Sequence, residues 1–207
     1  PVLSSRGHAY SRAGVAAFTT STGYGIAKYD NPEELSVSDR NNIGYQYTDC
    51  PLYWISVIYL NFAEAKAEMG SLTQDDLNNS INKLQARAGL PAMTTTPDAD
   101  PANNMGVSNL IWEIRRCRRC ELIMDNWYRY WDLIRWHQLD KLDSTKYPNT
   151  MLGANVSNVP DCEEATKNGY IDASDAQIRT YEAKHYFYPI PTTQLTLNKN
   201  MKQNPGW

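Results

Sequence analysis

The last part of this 207-residue chain constrains its fold more than any other stretch. His185-Tyr-Phe-Tyr-Pro-Ile-Pro191 is followed by a polar segment and then by Gln203-Asn-Pro-Gly-Trp207. An aromatic run that meets two prolines stops as a strand, because each proline removes a ladder donor. Pro205-Gly206 sets a tight turn, since proline fixes φ and glycine accepts positive φ. A tryptophan in last position frays unless its indole is held by another part of the molecule. The terminus is therefore expected to fold back and tuck Trp207 into a helical body.

Helical periodicity dominates the middle of the chain. Asp49 and Pro51 signal the start of a helix over 52–69, and Gly70 its stop. Ile55, Ile58, Phe62 and Ala65 fall at helical spacing on one face. Thr73 and Asp76 stand in capping-box positions before a second helix with the stripe Leu77, Ile81, Leu84 and Ala88. Gly89 ends that helix and Pro91 prevents its resumption. The short connection makes the pair antiparallel. It is like one tetratricopeptide-type repeat, with no second copy at a fixed period. Further helices are expected over 109–124 and, after Asp125-Asn126, over 127–137. Residues 1–49 read as loops and short extended pieces, with 23–29 the most strand-like. The stretches 91–107 and 140–175 read as loops, the second long enough to be functional or mobile. A short helix over 177–184 precedes the terminal strand. The expected class is mainly α, with helical hairpins, long loops and minor β structure.

A net charge of −3 and a pI near 5.6 argue against a nucleic-acid binder. There are 14 Tyr and 6 Trp against 3 Phe, so most rings carry an apolar face and a polar handle. Such rings suit stacking on sugars and also ordinary half-buried packing. No segment is long and apolar enough to cross a bilayer, and no signal peptide is visible.

Several residues bear on chemistry. Arg115, Arg116, Arg118 and Arg119 crowd one helix, with Glu121, Asp125 and Asp132 close by. That pattern serves an anion site or an internal ion-pair network, since arginine pairs carboxylates bidentately. Cys117 and Cys120 form a C-x-x-C. With Cys50 and Cys162 they leave structural thiols, a disulfide or a metal site open, although a zinc site lacks further ligand motifs. His8, His137 and His185 are scattered and match no nucleophile pattern. Glu64 and Glu68 share a helix face, as a glycosidase carboxylate pair or a solvated or ion-paired surface would. Asp98, Asp100, Asn103 and Asn104 offer oxygens for calcium but lack the EF-hand order, and read as a turn-rich loop.

Tyr188-Pro-Ile-Pro191 with Gln203-Asn-Pro-Gly-Trp207 resembles the C-terminal end of the RagB/SusD family of glycan-binding outer-membrane lipoproteins. Ile114-Arg-Arg-Cys-Arg-Arg-Cys-Glu-Leu122 and Arg129-Tyr-Trp-Asp-Leu-Ile-Arg-Trp136 are similar to its central arginine-rich signature. Tyr59-Leu-Asn-Phe-Ala-Glu-Ala65 and Ala86-Arg-Ala-Gly-Leu-Pro91 look like two more of its blocks, in the family's order. Cys117 departs from the pattern, standing where the family commonly has Glu. The segment from Glu121 to Asp132 is one residue longer.

The resemblance implies the C-terminal portion of a SusD-like domain. Its parts would be an extended region over 1–49, a hairpin over 50–90, signature helices over 108–138 and a loop-rich region with a terminal strand over 139–207. It implies non-catalytic capture of oligosaccharide or polysaccharide at the bacterial surface, without cofactor or metal. The partners implied are the glycan, a SusC-like TonB-dependent transporter and an N-terminal part of the same protein. The location implied is the outer membrane, lipid-anchored through an N-terminal segment absent from this sequence. Arg119, Glu121, Arg129, Asp132 and Arg135 match the family's structural charge network. From loop position and ring type, Tyr10, Tyr24 and Tyr29 are the candidate glycan contacts. A protein-binding helical scaffold and a glycoside hydrolase are the alternatives.

Overall fold

The computed structural model describes residues 22–24, 52–125, 128–158, 166–174 and 177–207. These fall in two compact units, one within Cys50–Asp132 and the other within Leu133–Trp207 together with 22–24. The described residues are mostly helical, with one small sheet.

The first unit begins with α1, Ile55–Glu68, and continues through α2, Gln74–Asn78, and α3, Ile81–Arg87. Then comes α4, Asn109–Glu121, and α5, Tyr128–Arg135, starts at its end. Helix α1 packs on α4 and α3 around Leu60, Ala63, Leu77, Ile81, Leu84 and Ile114. Both expected glycine stops form. Gly70 has φ 67°, and Ser71 N–H reaches Lys66 O at 2.9 Å while Gly70 N–H reaches Ala67 O at 3.0 Å. Gly89 repeats this geometry at the end of α3, with Leu90 N–H on Gln85 O. Both are the double-bonded helix stops that glycine permits.

Two expectations for this hairpin change. The face of α1 that carries Ile55, Ile58, Phe62 and Ala65 is not the buried one: Ile58 is 60% exposed and Phe62 43%. Ser56, Leu60, Ala63 and Glu64 are buried instead. The helix is apolar on two sides, and small Ala63 and Ser56 permit the closer approach. The second helix is also broken, between α2 and α3. There Asn79 Nδ2 donates to Asp75 O at 3.0 Å and Ser80 Oγ to Asp76 O at 2.6 Å. Such side-chain bonds compete with the helical ladder. Leu77, Ile81 and Leu84 still reach the core, whereas Ala88 is exposed.

In the second unit, part of the stretch expected as loop forms a three-stranded antiparallel sheet of order β1-β3-β2. Its strands are β1, Leu152–Asn155, β2, Thr166–Lys167, and β3, Tyr170–Asp172. Asn168 (φ 55°) and Gly169 (φ 79°) join β2 to β3. Two consecutive positive φ values are what a two-residue hairpin turn of this type requires. Ala154, Val156 and Ile171 form a small core. Thr22 runs along β1, accepting from Ala154 N–H at 2.8 Å. A Cβ at Gly153 would stand 2.3 Å from Thr22 O, so only glycine admits that approach.

The C-terminal elements differ too. Residues 177–182 are not helical, and Ala183–Tyr186 is a 3₁₀ turn across the expected junction of helix and strand. After Pro191 a short helix, α6, Thr192–Leu197, fills the polar segment. Pro189 and Pro191 leave Ile190 the single backbone donor among the three, and the Gln203 amide binds both its N–H (2.8 Å) and its C=O (2.9 Å). Asn204 Nδ2 donates to Tyr188 O at 2.7 Å. Trp207 Nε1 donates to Phe187 O at 2.9 Å and Lys184 O at 3.2 Å. Its ring meets the His185 ring edge-on, with Lys184 Nζ over it. The fold-back is therefore real but local. The indole closes on the turn just before the prolines, 46% exposed, and is not sunk in a helical body.

Candidate functional site

The charged residues of α4 are drawn inward. Arg115 Nε donates to Glu64 at 2.9 Å and its Nη2 to Glu68 at 3.1 Å, tying α4 to α1. Glu64 is buried because this guanidinium neutralises it. Both candidate glycosidase carboxylates are thus committed to one arginine. Arg118, 5% exposed, reaches Asp132 on α5 at 2.7 Å and Asn61 on α1 at 2.8 Å, with its guanidinium over the Tyr128 ring. Arg87 holds Glu121 through two contacts, 2.6 and 2.8 Å. Arg116 pairs with Glu113 one turn earlier.

Of the residues assigned to a charge network, Asp132 and Glu121 therefore sit in ion pairs. Arg129 is held below the ordinary arginine range by burial and by the charge of Arg119, against the pull of Asp132. Arg119 is exposed, and Arg135 lies over the Trp136 ring. Arg115 and Arg118 stand among the arginines that the sequence offered for internal pairing, whereas Arg87 was not singled out. Spacing along one helix does not say which carboxylate of another helix each arginine meets.

Tyr24 is 37% exposed, and its N–H donates to Thr22 Oγ1 at 3.3 Å. The bond from Ala154 to Thr22 sets this short stretch against β1. Tyr10 and Tyr29, with His8, Cys50 and Cys162, lie outside the described residues. Other exposed rings include Tyr53, Phe62, Trp131, Tyr170, Phe187 and Tyr188, none of them a glycan candidate from the sequence. Cys117 and Cys120 are free thiols. Burial pushes the Cys117 thiol up to about 12, so it stays protonated and unreactive at neutral pH.

His185 Nδ1 accepts the Glu182 N–H at 2.9 Å within the terminal clasp, and the His137 ring stands 5.1 Å from that of Tyr186. Asp100 accepts from Ala102 N–H and Asn103 Nδ2 donates to Val107 O, the bonds of a turn. Asp143 is the organiser of the second unit. Its carboxylate accepts from Thr145 Oγ1 (2.5 Å), Thr145 N–H (2.9 Å) and Tyr181 N–H (3.1 Å), which lowers its pKa to about 2.

Comparison with known proteins adds the family. The family model described as the SusD family matches residues 7–207. No curated protein matches the chain. Among solved structures, a SusD-like protein from Bacteroides fragilis is similar at 25% identity, with a TM-score of 0.48. The match covers 73% of this chain and 25% of that one, so the chain spans about a quarter of the length of the solved relative. Matched over nearly its whole length, from residue 7 to its terminal tryptophan, the chain belongs to the SusD family.

Proposed function

We propose that this chain is a portion of a non-catalytic nutrient-capture protein. It holds oligosaccharide or polysaccharide at the bacterial cell surface and passes it to a SusC-like, TonB-dependent transporter. The observation that carries this reading is the family match over residues 7–207. The charge chemistry agrees with it: Glu64, Glu68, Glu121 and Asp132 are tied to arginines, where they brace helices. Capture for transport has to be reversible. A few aromatic stacks, each worth ~0.5–1.5 kcal/mol by analogy with ring pairs, suit that need. Tyr24 is the described candidate, and Tyr10 and Tyr29 complete the proposed set. We place the protein at the outer membrane, lipid-anchored through a segment outside this sequence. No helix among the described residues is long and apolar enough to cross a membrane.

Retardation on gels containing neutral polysaccharides tests the reading, with Tyr10→Ala, Tyr24→Ala and Tyr29→Ala run alongside. Retardation that falls in these variants supports capture by the rings. Retardation unchanged in all three removes the rings, and none on any polysaccharide removes capture. A second reading, a scaffold that binds only protein, is favoured by the exposed apolar face of α1, where Ile55 is 63% and Ile58 60% exposed. Co-purification with the barrel without glycan binding would select it.

A further inference from the structure

A cleft of about 390 Å³ opens in the first unit among the end of α3, the loop over 90–98 and the α4 residues Glu113 and Arg116. Its size lies within the roughly 300–1,000 Å³ of small-molecule sites. Gln85 lines it and is 8% exposed. Its backbone carbonyl is used by Leu90 N–H, but among the described residues its carboxamide has no hydrogen-bond partner. Its amide atoms are open to the cleft, where water or an entering ligand can bond them.

The cleft is also built in advance. The buried side chain of Asn82 accepts from Met93 N–H at 2.7 Å and donates to Met93 O at 3.1 Å, and Gln74 Nε2 donates to the same carbonyl at 3.0 Å. These bonds fix the middle of the loop, and Pro91 and Pro97 stiffen its flanks. A preformed cleft loses little entropy when a ligand enters.

Its chemistry selects a class of ligand. Thr94 and Thr96 bring hydroxyls, and Asp98 and Glu113 bring carboxylates. Two carboxylates against the one guanidinium of Arg116 leave the lining net negative, which disfavours anions. Leu90 and Pro91 supply apolar surface. A neutral sugar ring has this double character, with hydroxyls at its edge and C–H groups on its faces.

We propose that this cleft binds one neutral sugar unit of the captured glycan, with the Gln85 carboxamide donating to and accepting from its hydroxyls. The assignment rests on the capture reading above and adds a subsite that contains none of the three tyrosines.

The test is titration of the ¹⁵N-labelled 207-residue chain with maltohexaose, cellohexaose, xylohexaose and mannohexaose, and with oligogalacturonate as the anionic control. A neutral hexasaccharide that binds should move the Gln85 side-chain amide resonances. Gln85→Leu should then weaken it about tenfold, the effect of a lost buried hydrogen bond. Thr96→Val, at an exposed rim position, should weaken it less. Unchanged melting temperatures show that both variants are folded. Binding that leaves the Gln85 resonances in place and is equal in Gln85→Leu overturns the subsite while capture stands. Oligogalacturonate shifting Gln85 in place of the neutral sugars overturns the ligand class. Failure of every neutral hexasaccharide to bind removes the capture reading, and the subsite with it.

Discussion

Arg118 is a buried charge that ties α4 to α1 and α5. At 5% exposure its guanidinium is tolerated because Asp132 lies 2.7 Å away and Asn61 2.8 Å away. Removing one partner leaves the other charge buried, so Arg118→Ala or Asp132→Asn should each cost ~3–5 kcal/mol in urea unfolding. Arg118→Met with Asp132→Leu should recover much of that, because an apolar pair of similar size avoids the desolvation of charge. Asp143 supports a prediction in pH. Bonds from the Thr145 hydroxyl and then the Tyr181, Thr145 and Lys146 N–H groups hold its carboxyl at about 2, against 3.8 ordinarily. Asp76 is likewise held at about 2, by Lys66 and then by Thr73. Both pKa values are lower in the fold than in the unfolded chain. Their stabilisation is therefore full above pH ~4 and lost as pH falls from there through about 2. Acid unfolding monitored by circular dichroism should show that loss in the wild type and a flatter profile in Asp143→Asn.

Among the elements, those that announce themselves locally were legible and those set by partners were not. The Thr73–Asp76 capping box forms as its spacing requires, with Asp76 N–H on Thr73 Oγ1 at 3.2 Å and Thr73 N–H on Asp76 Oδ2 at 2.9 Å. Thr73→Ala should cost ~1 kcal/mol by thermal melt. Gly70 and Gly89 stop their helices at the expected residues, and α4 and α5 lie within their expected ranges. The buried face of α1 was not legible. Periodicity finds an apolar face, but this helix has two, and the choice follows from α4, whose Arg115 makes Glu64 acceptable inside. The sheet was missed because its strands are two to four residues long, too short for alternation to register. One signal for it was in view: Asn168-Gly169, the dipeptide of a tight hairpin turn. The terminal clasp was half legible. The proline-glycine turn and the returning tryptophan were foreseeable, whereas the pairing of Gln203 with Ile190 is a contact no periodicity encodes. Of the candidate site, Tyr24 follows Thr22, whose carbonyl bonds β1, while Gln85 escaped notice because its place on the cleft wall is visible only in three dimensions.

At the scale of the whole molecule, a helical unit braced by arginine–carboxylate pairs and a loop-rich unit with a small sheet belong to one SusD family chain. The helical unit exposes an apolar stripe on α1, where Ile55, Ile58, Phe62 and, just beyond the helix, Met69 face outward. Apolar surface gathered on one face binds hydrophobic probes. ANS fluorescence should rise with the wild-type chain and fall when Ile58 and Phe62 are changed to Ser, while the melting temperature holds. Holding glycan without cutting it is the function proposed for this molecule. The most direct measurement is calorimetric titration of the chain with neutral hexasaccharides, followed by chromatography of the recovered sugar. Saturable binding and hexasaccharide recovered intact are the expected result. No heat of binding with any of them, or shortened sugars in the eluate, would contradict it.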